Sequence, residues 1–71
     1  MSYYDYKKSQ EIQSLGYPFY ALVMACMRQA DTDNLNALKE AFPAAHAELS
    51  ERYNAPGGLI GEELKRLGEM Q

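Results

Sequence analysis

Hydrophobic positions along the chain recur at helical spacing, and glycine and proline cut them into separate pieces. The first piece runs from Ser2 to Leu15. Ser2 is placed to cap it, Asp5 three residues on makes an imperfect capping box, and Gly16 supplies the stop. Pro18 suits the first turn of a second helix, about residues 18–29, whose run from Phe19 to Met27 is apolar on every side. Such a run also fits a buried strand. Helix is preferred because Ala and Met are good helix formers and no other segment alternates with period two to pair with it. Asp31, Thr32, Asp33 and Asn34 then form a turn and N-cap cluster, with two carboxylates where a helix dipole favours negative charge. In the third helix that follows, Leu35, Leu38 and Phe42 are spaced i, i+3, i+7, and Pro43 marks its end or the first turn of a fourth. Phe42, His46, Leu49 and Tyr53 follow i, i+4, i+7, i+11, which predicts that this stripe of the fourth helix faces inward.

Residues 54–58, Asn-Ala-Pro-Gly-Gly, are the strongest loop signal in the chain and read as a hinge before a C-terminal helix over 59–70. Ile60, Leu64 and Leu67 make the stripe of that last helix, with Glu62 and Glu63 near its N-terminal end and Lys65 and Arg66 further along. The pattern predicts an all-α fold. One domain over 1–71 forms a compact bundle of four to five short helices around the apolar helix at 18–29. No internal repeat or low-complexity tract is visible.

Length and charge narrow the function classes. A chain of 71 residues buries only about 60% of the surface its unfolded form exposes, so assembly into a homo-oligomer is expected. Its net charge of -3 gives no reason to seek phosphate backbones, and direct nucleic-acid binding is not expected. Cys26 is the single cysteine, which excludes an intramolecular disulfide, a CxxC redox pair and a zinc ribbon, and fits a reducing, cytoplasmic setting. The longest uncharged apolar run has nine residues, against about 20 for a membrane span, and no cationic-then-apolar leader pattern opens the chain. The whole chain is therefore expected to be the mature protein, with no membrane partner.

Motifs that carry chemistry fail one by one. Asp31, Asp33 and Asn34 begin like a calcium loop, but Leu35, Asn36 and Phe42 then stand where an oxygen ligand, a glycine and a glutamate are needed. His46 and Cys26 are one potential base and one potential nucleophile. Each lies in an apolar stretch, which points to a packed imidazole and a buried thiol. No phosphate-binding, dinucleotide, nucleophile-elbow or zinc-protease motif occurs, and Pro56-Gly57-Gly58 lacks the Lys and Ser or Thr of a phosphate loop. The third and fourth helices also read as a helix-turn-helix. Residues 31–53, however, carry five negative and two positive charges, the wrong sign for a DNA backbone. The reading is a non-enzyme with no cofactor and no metal site.

Six tyrosines in 71 residues are the unusual feature. Tyr3, Tyr4 and Tyr6 adjoin Lys7 and Lys8, Tyr17 and Tyr20 follow the first turn, and Arg28 ends the second helix. Tyrosine buries its ring while keeping its hydroxyl wet, which suits a small core, a protein interface or a stacking pocket. These eight residues are the candidate binding set, for a protein surface or for an anionic ligand held by rings and cations.

The stretch from Gly16 to Leu59 resembles short phage- and prophage-encoded helical proteins. The features that carry the likeness are Gly16-Tyr17-Pro18-Phe19-Tyr20, Met27-Arg28-Gln29-Ala30-Asp31, Phe42-Pro43 and Arg52-Tyr53-Asn54-Ala55-Pro56-Gly57-Gly58. The resemblance carries no activity and no catalytic residue. It implies a small phage accessory protein in the cytoplasm of a bacterial host. The leading expectation is a binding protein that counters or redirects a host antiviral defence by occupying a host protein through an aromatic surface. An alternative is an oligomeric sponge for a small anionic or nucleotide signal, and a third is a structural or assembly part of the phage particle.

Overall fold

The computed structural model describes residues 1–63, 65 and 66. It is all-helical over those residues, with α1 at Tyr3–Ser14, α2 at Phe19–Gln29, α3 at Thr32–Ala41 and α4 at Pro43–Tyr53, then a single 3-10 turn at Pro56–Gly58. Local chemistry sets each boundary. The Ser2 side chain accepts from the Asp5 N–H at 3.2 Å while the Asp5 carboxylate accepts from the Ser2 N–H at 3.0 Å, so the capping box is complete. Gly16 ends the first piece in the left-handed region, at φ 70°, where a side chain would be strained. Asp31 caps α3 by accepting from the Asn34 N–H at 2.9 Å. Phe42 alone separates α3 from α4, serving as C-cap of one and N-cap of the other, with Pro43 as the first residue of the next helix. Pro18, expected inside the second helix, is its N-cap.

Three helices pack together. Among the described residues, Val23 and Met27 of α2 and Ala45 of α4 form the buried core, and Leu35, Leu38, Phe42 and Leu49 close over it half-buried. The inward face of α4 departs from the expected stripe: Ala45 takes the buried position, His46 is half-buried, and Tyr53 is 75% exposed. The physical reason is size. A small side chain at Ala45 suits close approach of α2 and α4, and Tyr53, at the last residue of the helix, sits at the rim of the hollow beside Met27 and Arg28. Among the described residues, the helix expected at the centre is packed closely on one side, with α1 across an open groove on the other. α2 touches α3 and α4, whereas α4 touches α2, α3 and the turn after it. Phe19, Tyr20, Ala21, Ala25 and Cys26 stay exposed, so Cys26 is an exposed thiol rather than the buried one its run implied.

α1 stands apart, with no buried residue. It draws the molecule out to 49 × 27 × 15 Å with a radius of gyration of 15.3 Å, where a compact chain of this length would have about 11 Å.

At the other end, Arg52 fastens the loop to α4. Its guanidinium donates to the Gly58 carbonyl at 2.7 Å, to both Glu63 carboxylate oxygens at 2.7 and 3.0 Å, and to Glu48 one turn back at 3.0 Å. Of the helix expected over 59–70, residues 62–63 and 65–66 are helical and 59–61 are not. The expectations on Leu64 and on 67–70 lie outside the described residues. None of the helices among the described residues is long and apolar enough to cross a membrane.

Candidate functional site

The tyrosines of α1 are displayed rather than packed. Tyr3, Tyr4 and Tyr6 are all well exposed, and the Tyr3 and Tyr6 rings lie tilted with centroids 6.4 Å apart, one turn along the helix. Tyr4 faces elsewhere. Its ring carries the Lys8 ammonium 5.6 Å above its centroid, and Lys8 in turn donates to Glu11 at 2.9 Å. Tyr4, Lys8, Glu11 and Leu15 are spaced i, i+4, i+7, i+11 and so form one aromatic and charged stripe along the outside of α1. Lys7 is exposed and has no ion pair among the described residues.

The other candidate residues fall in different places. Tyr17 lines a groove between α1 and α2, about 660 Å³ in volume, where Ile12 and Gln13 of α1 face a floor of Ala21, Ala25 and Cys26 from α2. Tyr20 belongs to an aromatic cluster at the opposite edge of α2, where Phe19 meets it edge-on at 5.2 Å and also meets Phe42 at 5.9 Å. Arg28 sits beside Met27, His46 and Tyr53 at a shallow hollow of about 430 Å³ over α4. The fold therefore gathers Tyr3, Tyr4, Tyr6, Lys7 and Lys8 on one helix and separates Tyr17, Tyr20 and Arg28 from them. Lys7, Lys8 and Arg28 do not line the groove, so one chain offers no cationic cradle there.

The groove itself was missed by sequence reasoning. Its floor is Ala21, Ala25 and Cys26, spaced i, i+4, i+5, on the side of α2 away from Val23 and Met27. A signal was present: a helix apolar all round with neighbours on one side must leave an apolar side uncovered. Ile12, the one aliphatic residue inside an otherwise polar α1, faces that floor.

Perturbed ionisation lies well away from these surfaces. Hydrogen bonds from Arg52, and then the Ile60 N–H, hold the Glu63 carboxyl down to about 2 from an ordinary value of 4.5, and Glu63 and Glu48 raise the Arg52 guanidinium in return. That pairing ties the loop to α4. The described residues hold no cluster of three His, Cys, Asp or Glu side chains that would cradle a metal ion. Comparison of the chain with protein-family models, curated proteins and solved structures returns no match.

Proposed function

We propose that this chain is a non-enzymatic phage accessory protein, acting in the cytoplasm of a bacterial host, that occupies a host protein through the aromatic surface of α1. One observation carries the binding role: a helix of 12 residues with no buried side chain displays three tyrosines. An isolated helix of that length is marginal in water, and α1 receives little support from its own chain. Exposed tyrosines on such a helix are suited to an interface, because a partner that covers the rings gains apolar burial and their hydroxyls still reach water or a polar rim. The phage and host setting rests on the sequence resemblance alone.

The test is capture from a bacterial host lysate with wild-type protein and with Tyr3→Ala, Tyr4→Ala and Tyr6→Ala combined. A single host protein retained by the wild type and lost by the variant, at unchanged far-ultraviolet circular dichroism, is the expected result. Retention by the triple variant sinks the reading. So does loss of helicity together with binding, since the tyrosines would then be structural.

A further inference from the structure

We propose that the hollow shared by α2, α3 and α4 binds a small organic carboxylate, with Arg28 holding the carboxylate and core residues holding an apolar body. The hollow measures about 430 Å³, within the roughly 300–1,000 Å³ of small-molecule sites. Met27, Leu35 and Leu49 line it and also belong to the core or pack against it, so the fold itself fixes its apolar part. Leu35 and Leu49 are half-buried, and a ring laid over them would take the rest of their surface from water.

The polar residues of the hollow share one character. Arg28, His46 and Tyr53 bring a guanidinium, an imidazole and a phenol, each with an N–H or O–H to give. None of the three has a side-chain hydrogen bond or ion pair among the described residues. His46 and Tyr53 stand on one face of α4, seven residues apart, and Arg28 comes from the last turn of α2. His46 is half-buried, where a polar ring without a partner is costly, and an acceptor entering the hollow removes that cost.

Charge selects the occupant. Residues 31–53 carry five carboxylates, yet none lines the hollow, and Glu48, which falls between His46 and Leu49 in sequence, is paired with Arg52 at 3.0 Å. Arg28 is thus a cation beside an apolar surface with no counter-ion of its own among the described residues. One guanidinium matches one carboxylate through two parallel N–H···O bonds, whereas a phosphate dianion would be left half neutralised. The site is separate from host binding through α1, because no residue of α1 lines it.

Proton–nitrogen correlation spectra of the full chain, titrated with phenylacetate, phenylacetamide, acetate and phenyl phosphate, test the site. Phenylacetate is expected to shift the amides of Arg28, Leu35, His46 and Tyr53 saturably, with a Kd of about 1 mM, the weak affinity of a small probe. The amide keeps the ring and loses the charge, acetate does the reverse, and each is expected to bind at least about tenfold more weakly. Arg28→Gln, at an exposed position, should abolish the preference for the acid over the amide, while Lys39→Gln, the same loss of charge on the exposed side of α3, should leave it. The comparison of probes on the wild-type chain holds whether or not the Arg28 variant folds. Absence of a saturable shift, equal binding of acid and amide, tighter binding of phenyl phosphate, shifts centred on the groove of α1, or a preference that survives Arg28→Gln overturns the proposal.

Discussion

The first and fourth helices have nearly equal lengths, 12 and 11 residues, and differ in what holds them. α1 is sustained by bonds within itself: the capping box at Ser2 and Asp5, the Lys8–Glu11 pair and the Lys8 cation over Tyr4. Every one of those terms is local and worth about 1 kcal/mol or less. α4 is sustained by tertiary packing, with Ala45 buried against α2, Leu49 half-buried, and Arg52 drawing Gly58 and Glu63 onto its C-terminal end. The difference separates two jobs. A helix held by its neighbours is committed to the fold, while a helix held only by itself keeps its side chains for something outside the chain.

Truncation of the core gives the largest effect. Met27→Ala, at a residue 4% exposed, is expected to cost about 2–5 kcal/mol, as large-to-small core changes do. At ~0.05–0.15 kcal/mol per residue that is much of the total stability, so urea unfolding followed at 222 nm should lose most of its folded baseline. An equal cost from Ile12→Ala in a monomeric background would erase the contrast, because it would place α1 within the fold. Next comes Ser2→Ala, expected to cost about 1 kcal/mol, confined to α1. Hydrogen exchange should quicken at Asp5 and Tyr6 and stay unchanged at Leu49. Quickening in both helices would mean that α1 and α4 unfold as one unit.

A smaller effect belongs to the Arg52 clasp. Glu63 titrates lower in the folded chain than in the unfolded one, so its contribution is fully present above about pH 4.5 and is lost as pH falls toward about 2. Limited proteolysis with pepsin across that window should cut first between 54 and 63, and Arg52→Ala should shift the same cut to neutral pH with a neutral-pH protease. Equal cutting at pH 5 and pH 2.5 would remove the clasp from the account of α4. Least of all, Tyr4→Ser should change the unfolding free energy, read from a urea titration, by less than about 0.5 kcal/mol, since the ring covers no core.

The boundaries of α1 through α4 were legible in the sequence because their signals are local. Ser2 and Asp5, Asp31 and Asn34, Gly16 and Pro43 each act within a turn of the residue that they define. The packing faces were less legible. A helix apolar on every side does not say which side its neighbours cover, and Ala45 was hidden by being too small to count as an anchor in a stripe of large residues. The clasp joins residues eleven positions apart across three glycines, so no periodicity announces it. Among the candidate binding residues, spacing along α1 was enough to group Tyr3, Tyr4, Tyr6, Lys7 and Lys8. Assigning Tyr17, Tyr20 and Arg28 to separate places needed the angle at which α2 meets its neighbours.

Phe42, the lone residue between α3 and α4, also sets where this chain tolerates a change of length. One residue inserted there would turn α4 by about 100° and carry Ala45 off the face of α2. The same insertion at the Gly16 turn would reposition α1, which brings nothing to the core, and leave α2, α3 and α4 as they are. Gaps are thus admitted on the side of the molecule that faces outward and refused at the corner that aligns the core.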